Sequence, residues 1–183
     1  MLIQFKRRFS MAHRLRFDRS SKCMTPHGHN EFVVASLQPK PEARGVNWGH
    51  ANYAASFADL KRHWHTFVDD ALDHAFQLGH DDPMIAYFQA HEPELLPRLL
   101  VIQGDPTTEA VATALYMKLN AILGKFLPAF ECVRFEIEET PTNSIVLTPD
   151  DVAACPIRLG EWCHRADLSL NDLLPLDAWE VLA

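Results

Sequence analysis

The sequence lacks an excess of positive charge and long apolar runs, and we expect it to carry no export signal. With 17 Lys and Arg against 24 Asp and Glu, its formal net charge is −7, which argues against a nucleic-acid partner. No apolar run approaches the roughly 20 residues that a membrane-spanning helix needs, so we expect no membrane partner. The N-terminal stretch MLIQFKRRFSMAHRL alternates too strongly for a signal peptide. We therefore expect a cytoplasmic protein.

The cysteines also exclude two common kinds of site. Cys23, Cys132, Cys155 and Cys163 form no C-x-x-C pair, so neither a zinc ribbon nor a thioredoxin-type redox motif is present. In a cytosol we expect all four to be reduced. The spacing of Cys155, Cys163 and His164 fits no common metal site, and we expect these side chains to pack.

The hydrophobic pattern predicts an α+β domain with the order β-β-α-α-β-β. The predicted strands are LIQFKRRFSMAHRL, HNEFVVASLQ, ECVRFEIEET and NSIVLTP, and the predicted helices are SFADLKRHWHTFVDDALDHAF and DPTTEAVATALYMKLNAIL. This order implies an antiparallel sheet with both helices on one face. We assign residues 1–150 to this domain, with a loop insertion at about 80–104 that contains a short helix around Met84–Ala90. Residues 151–183 are then a C-terminal extension packed on the same domain, with a helix near LNDLLPLDAW.

The stretch CMTPHGHN contains two histidines separated by one glycine. In an extended strand His27 and His29 point to the same side, as two ligands of one metal ion must. His13 would lie beside His27 if the first two strands form a hairpin. Three neutral imidazoles leave a fourth position open, which is typical of a catalytic zinc ion. Alternatively, the two histidines only form a turn around Gly28, and their spacing does not separate these possibilities.

Two further positions bear on this site. His63 and His65 have the same spacing but lie in a predicted helix, where residues two apart face nearly opposite ways. We expect them to face solvent and to share no metal ion. Glu31 is on the same side of its strand as the two histidines of the HGH run. It could line a pocket or interact with the metal ligands, or it could form a salt bridge on the strand face.

Three other groups could carry chemistry or serve only the structure. Beside a cation the Cys23 thiolate would be favoured as a base or nucleophile, whereas an isolated cysteine is usually inert. Asp73 could polarise His74 for proton transfer. Adjacent residues rarely bond to each other through a helix, however, and a polar helix end is the alternative. Glu139 could accept two parallel N–H donors of a ligand, or lie in solvent at a frayed strand end.

Taken in order, these motifs resemble one family. FSMAHRL, CMTPHGHN, FADLK, LDHAF, DPTTEAVA and EETPTNS are similar to the motifs of the 6-pyruvoyl-tetrahydropterin synthase / 6-carboxy-tetrahydropterin synthase family, from about Phe9 to Val146. The resemblance implies the tunnelling fold, whose subunits join their sheets edge to edge into a β-barrel, commonly as trimers stacked into hexamers with shared active sites. Two positions depart from the family: Ser56 replaces a frequent Asp, and Glu31 replaces an aromatic residue.

The resemblance also implies roles for individual residues. The implied zinc ligands are His13, His27 and His29; the implied catalytic residues are Cys23 and, from a neighbouring subunit, Asp73 and His74; the implied substrate-binding residues are Glu139, which anchors the pterin ring, and Thr107, Glu109 and Thr140.

The activity implied is that of a zinc-dependent lyase. The substrate would be 7,8-dihydroneopterin triphosphate, and the product 6-carboxy-5,6,7,8-tetrahydropterin, with loss of triphosphate and acetaldehyde, as in queuosine biosynthesis. Two alternatives stay open. One is 6-pyruvoyl-tetrahydropterin synthase activity on the same substrate, which the sequence does not separate from the first. The other is a non-catalytic member of the fold that binds a pterin or a purine.

Overall fold

The computed structural model describes residues 1–43 and 55–182. The strands are β1 (Ile3–His13), β2 (His27–Pro39), β3 (Ala75–Gly79), β4 (Leu99–Ile102), β5 (Phe130–Thr140) and β6 (Asn143–Leu147); the helices are α1 (Ser21–Met24), α2 (Phe57–Thr66), α3 (Pro83–His91), α4 (Thr108–Phe126) and α5 (Pro149–Ala154). Within these ranges, no helix is both long and apolar enough to cross a membrane.

The strands form one six-stranded sheet in the order β4-β3-β1-β2-β5-β6. The four predicted strands β1, β2, β5 and β6 pair antiparallel, as expected. The sheet is nevertheless mixed, because β3 and β4 add two parallel strands that the sequence analysis did not predict. The predicted insertion is therefore more than a loop. It contains α3, where the short helix was expected, a 3-10 turn at Pro93–Arg98, and β4.

The two long helices cover one face of the sheet, as predicted. Ser56 caps α2 by accepting a hydrogen bond from the backbone N–H of Ala58, and Thr107 caps α4 in the same way. Residues of both helices and of the sheet form the main core, among them Leu60, Trp64, Leu115, Leu119, Val33, Ala35, Phe135 and Ile137. A smaller cluster of Leu78, Ile85, Leu96, Leu99 and Val101 joins α3 to β3 and β4.

The C-terminal extension packs on the main core and on the edge of β4. Trp162, Cys163 and Leu170 are fully buried. The backbone N–H of Val101 donates to the Leu170 carbonyl at 3.0 Å, and the Trp162 indole N–H donates to the Val101 carbonyl at 2.9 Å. The extension therefore satisfies backbone groups that an edge strand would leave unpaired. The helix predicted near LNDLLPLDAW is only a 3-10 turn at Leu176–Ala178, because Pro175 interrupts the segment.

Candidate active site

The three histidines of the predicted metal site converge on one face of the β1–β2 hairpin. Antiparallel pairing places His13 opposite His27, and His29 opposite Met11. One ligand nitrogen from each histidine lies within 4.8 Å of the other two, which makes a group that could hold a metal ion. The hairpin anticipated from the sequence therefore brings the separated His13 to the HGH run.

Gly28 makes this close pairing possible. Its side-chain position faces away from the histidines and toward the backbone of β1. A Cβ atom there would lie 2.3 Å from the carbonyl oxygen of Met11, far inside van der Waals contact. A residue with a side chain would push the strands apart and displace His27 and His29, so the glycine between the two histidines is a steric requirement of the site.

The hydrogen bonds of two imidazoles suit a zinc ion. The Nδ1 atom of His13 lies 3.2 Å from the Pro106 carbonyl oxygen. The Nδ1 atom of His27 lies 2.8 Å from the Thr25 carbonyl oxygen. A carbonyl can only accept, so each Nδ1 carries the proton and each Nε2 keeps a free lone pair. The two Nε2 atoms are 3.1 Å apart, close to the roughly 3.4 Å that separates two nitrogens bound to a tetrahedral zinc ion.

Burial keeps His13 neutral. It is 3% exposed, and desolvation, followed by the charge of His27, lowers its pKa to about 4. A neutral imidazole is the form that binds a metal ion. The set of three nitrogen donors without a thiolate leaves a fourth coordination position open, as in catalytic zinc sites.

A cavity of about 440 Å³ lies next to the Pro106 segment that contacts His13, although none of the three histidines lines it. The Pro106 carbonyl that orients His13 belongs to the residue before Thr107, which lines the cavity. The lining residues are Leu15, Asp18, Cys23, Thr107, Thr108, Glu109, Glu139, Asn143, Ser144 and Ile145. The volume suits a small organic ligand. Four residues named from the sequence therefore share one cavity: Cys23, Thr107, Glu109 and Glu139.

Cys23 reaches the cavity from the short helix α1. Ser20 caps this helix by accepting from the backbone N–H of Lys22, and the Cys23 carbonyl accepts from the backbone N–H of Leu15 at 2.8 Å. The thiol is half-buried and free, and it does not belong to the group of three histidines. Its position thus allows contact with a ligand in the cavity without a place among the metal ligands.

Glu139 is held at the end of β5 by a helix residue. The Thr108 hydroxyl, in the first turn of α4, donates to Glu139 Oε1 at 2.7 Å. Strand pairing shifts between Glu138 and Thr140, so the strand is irregular where the carboxylate turns into the cavity. Thr108 was not predicted from the sequence, although it adjoins Thr107 in the motif PTTE.

The Thr140 side chain stabilises a turn and does not line the cavity. Its hydroxyl oxygen accepts hydrogen bonds from the backbone N–H groups of Thr142 and Asn143, and it does not line the cavity. Asn143 and Ser144, which follow this turn, do line it and were not singled out from the sequence. Thr140 therefore fixes the loop that brings these polar residues to the cavity wall.

Glu31 is the least expected residue of this region. It lies on the histidine side of β2, is only 2% exposed, and forms no side-chain salt bridge with a described residue. The strand-face salt bridge is thus not formed with any described residue, and Glu31 does not line the cavity described above either. Burial, followed by the charge of Glu139, raises the pKa of Glu31 to about 8.

Asp73 and His74 pair directly, contrary to the expectation for helical neighbours. The residues Phe67–Leu72 continue α2 as one π-helical turn, and Asp73 ends it. His74 has a φ of 66°, which swings its ring back so that Nδ1 lies 2.8 Å from Asp73 Oδ2. Burial acts to raise the Asp73 pKa, but the hydrogen bonds from Ser10 and His74 outweigh it and lower that pKa below its usual value. The pair does not line the cavity of its own chain.

His63 and His65 are half-buried, so the expectation that both side chains face solvent is wrong. His63 stacks on Phe126 with ring centroids 3.9 Å apart, and His65 meets the edge of Phe5. In the part of the chain that the structure describes, the only group of three potential metal ligands is the one in the hairpin.

Comparisons with known proteins agree with this architecture. The family model described as 6-pyruvoyl tetrahydropterin synthase matches residues 2–150. An uncharacterized protein from Wolinella succinogenes superposes with a TM-score of 0.58 at 19% identity, covering 81% of this chain and 99% of that one.

The 6-pyruvoyl tetrahydropterin synthase of Caenorhabditis elegans gives a TM-score of 0.52 at 21% identity, covering 81% and 94% of the two chains. A Plasmodium vivax 6-pyruvoyltetrahydropterin synthase carrying a mutated catalytic glutamate superposes with a TM-score of 0.52 at 17% identity, covering 80% of this chain and 97% of that one. A search of curated proteins found no match. The sheet with its two helices is thus the tunnelling fold, and the chain belongs to the 6-pyruvoyl tetrahydropterin synthase family.

Proposed function

We propose that this protein is a zinc-dependent lyase that converts 7,8-dihydroneopterin triphosphate and water to 6-carboxy-5,6,7,8-tetrahydropterin, triphosphate and acetaldehyde, in queuosine biosynthesis. The observation that carries the proposal is the cavity shared by Cys23 and Glu139, next to the segment that contacts His13. A thiol and an acceptor for a ring edge thereby share one small volume, to which Pro106 and Thr107 connect the metal-binding group.

Glu139 binds the pterin ring in this proposal. The 2-amino-4-oxo edge of a pterin presents two neighbouring N–H donors, which a carboxylate accepts in a bidentate arrangement. The Thr108 hydroxyl fixes one carboxylate oxygen and so limits the rotation of the group before the ligand arrives. Thr107, Glu109, Asn143 and Ser144 supply further polar atoms around the ring.

Cys23 and His74 move protons on opposite faces of the substrate side chain. The Cys23 thiolate takes a proton at Sγ and returns it to the neighbouring carbon. The Nδ1–H of His74 donates to Asp73, which leaves Nε2 as the atom that accepts or donates a proton. The Asp73 carboxylate stabilises the protonated imidazole, as the aspartate of a catalytic triad does for its histidine.

His13, His27 and His29 hold the zinc ion in this proposal. When bound there, zinc supplies Lewis-acid polarisation of the hydroxyl groups on the substrate side chain. The carbonyls of Pro106 and Thr25 keep two of the imidazoles in the required tautomer, so the ligand set is oriented in advance.

We further propose an oligomer with shared sites, a trimer or a hexamer. Among the described strands, β6 pairs only with β5, and the first eight residues of β1 pair only with β2. These two edges could join across subunits into a barrel. Such joining would bring Asp73 and His74 of one chain toward Cys23 of the next.

Product analysis tests the proposal. Zinc-loaded protein is incubated with 7,8-dihydroneopterin triphosphate and the products are identified by mass spectrometry, with Cys23→Ala protein as the inactive reference. A 6-carboxy product supports the lyase. A 6-pyruvoyl product supports the second candidate, which the names of the C. elegans and P. vivax neighbours favour. Tight binding of pterin without turnover would instead identify a non-catalytic binding protein.

A further inference from the structure

The backbone at His74 is held in an unusual conformation. Its φ of 66° lies in the left-handed region, and among the described residues no other residue except glycine has a positive φ. Side chains rarely adopt this conformation unless their surroundings impose it. The hydrogen bond between His74 Nδ1 and the Asp73 carboxylate depends on this conformation, because it folds the imidazole back onto the preceding side chain.

One peptide group, between Asp73 and His74, is fixed at both of its ends. Its N–H donates to the Ser10 carbonyl at 2.7 Å. Its carbonyl oxygen accepts a hydrogen bond from Nη2 of Arg98. The plane of this peptide sets ψ of Asp73 and φ of His74, so these two contacts determine how the imidazole is aimed.

Arg98 ends the 3-10 turn of the insertion and reaches the C-terminus of the Phe67–Leu72 helical segment. Its Nη1 also donates to the Asp70 carbonyl at 2.8 Å, so one planar guanidinium joins two backbone oxygens at the C-terminus of the helical segment. A charged donor is well suited to such oxygens, which lack partners within the helix.

The C-terminal extension holds Arg98 in turn. Asn171 is fully buried, and its Nδ2 donates to the carbonyls of Leu96 and Leu99, at 2.9 Å and 2.8 Å. These two residues flank Arg98 in the chain. A line of contacts therefore runs from the extension, through the insertion, to the Asp73–His74 peptide.

We propose that Arg98 is a positioning residue that sets the orientation of His74 for proton transfer, and that the insertion and the extension hold it in place. The proposal rests on the proposed role of Asp73 and His74. Without Arg98 the carbonyl of Asp73 loses a hydrogen-bond donor, and the peptide between Asp73 and His74 can rotate. The His74 imidazole then spends less time hydrogen-bonded to the Asp73 carboxylate.

Arg98→Met and Arg98→Lys variants test this, with Arg62→Met as the matched control, since Arg62 pairs with Asp59 on the exposed side of α2. In Arg98→Met we expect kcat to fall about tenfold or more while KM stays within about twofold. Arg98→Lys should recover part of kcat, because an ammonium group reaches one carbonyl but not both. The backbone N–H of His74 should exchange with solvent about tenfold faster in Arg98→Met.

Two outcomes overturn the proposal: a wild-type exchange rate at the His74 amide in Arg98→Met, or a lower melting temperature with unchanged kcat. If the wild-type protein does not turn over dihydroneopterin triphosphate, the proposed function fails, and the exchange rate at His74 alone decides whether Arg98 holds the turn. Should Arg98→Met fail to fold, Arg98→Lys is measured in the same way, and a wild-type kcat and exchange rate there would likewise overturn the proposal.

Discussion

Thr108, at the first turn of α4, donates a hydrogen bond of 2.7 Å to Glu139 at the end of β5. A strand-end carboxylate without a partner would sample several rotamers in solvent. With one oxygen tied to the helix, Glu139 is instead directed into the cavity that it shares with Cys23. The contact thus turns a residue at an irregular strand end into a preorganised acceptor.

Replacing Glu139 by Gln should weaken pterin binding about 10- to 100-fold, because two hydrogen bonds to a charged acceptor are lost or reversed. Thr108→Val should have a smaller effect in the same direction. Affinity for neopterin is measured by calorimetry, with Glu138→Gln as the control, since Glu138 pairs with Lys6 and does not line the cavity. Equal affinity of wild type and Glu139→Gln would exclude Glu139 as the ring anchor.

Removal of His29 should abolish stoichiometric zinc binding, because two imidazoles alone form a much weaker site. The measurement is the metal content of purified protein after dialysis against dilute zinc. His80→Ala is the control, because His80 is exposed and lies outside the group of three histidines. One zinc ion per chain in His29→Ala would show that the ligands have been wrongly assigned.

Cys23→Ala should lower kcat by about 10²- to 10⁴-fold, the range typical of a lost proton-transfer group. Cys155→Ala is the matched control, because that thiol is also half-buried and free but does not line the cavity. Rates come from the product assay described above. A Cys23→Ala enzyme that retains the wild-type rate would remove the thiol from the mechanism.

If active sites are shared between chains, mixed oligomers of two inactive variants should regain part of the wild-type activity. In an equal mixture of Cys23→Ala and His74→Ala subunits, assembled by refolding together, about a quarter of the sites combine an intact Cys23 with an intact His74 from the neighbouring chain. Activity near that fraction of wild type is expected. A mixture as inactive as its two components would mean that each site is built from one chain.

The extension is tied to the core by a buried ammonium group that should give a measurable pH dependence. Lys118 is 0% exposed and donates to Asp167 at 2.9 Å, to Ser169 and to the Trp162 carbonyl. Burial lowers its pKa to about 8, although the charge of Asp167 opposes this shift. Between this value and the ordinary 10.5 the unfolded chain binds one more proton than the folded chain, so stability increases with pH.

Relative to Lys118→Met, the wild-type protein should therefore gain up to roughly 3 kcal/mol between pH 8 and pH 10.5. Below pH 8 the lysine is charged in both states, and its contribution should not vary. Urea denaturation of both proteins at pH 7.5 and pH 10 gives the comparison, in which other titrating groups cancel. A constant difference between the two proteins would show that Lys118 keeps its ordinary pKa when buried.

Much of the site could be anticipated because it depends on short-range geometry. The two-residue spacing of His27 and His29 places them on one side of a strand, and the hairpin returns His13 to them. The order of the four antiparallel strands and two helices likewise follows from their hydrophobic periods. These features are local, or need only one assumed turn.

What the sequence did not reveal depends on long-range packing. β4 contains only four residues, all buried, and becomes a strand because β3 and the extension lie on either side of it. The direct hydrogen bond between Asp73 and His74 accompanies a positive φ at His74, and the peptide between these residues contacts the distant residues Ser10 and Arg98. Simple alternation along β5 would place Cys132 and Phe135 on opposite faces, but a register shift after Ser36 turns both side chains inward.

The hydrogen bonds between the extension and β4 bear on how this protein can be shortened. A chain ending at Asp150, as the family match would suggest, loses Leu170, Trp162 and Asn171 together. The backbone N–H and carbonyl of Val101 would then have no hydrogen-bond partner on an apolar edge strand. Such an edge can pair with strands of other chains and cause aggregation. We therefore expect the last thirty or so residues of this family member to keep it soluble, and a chain trimmed to the shared domain to precipitate.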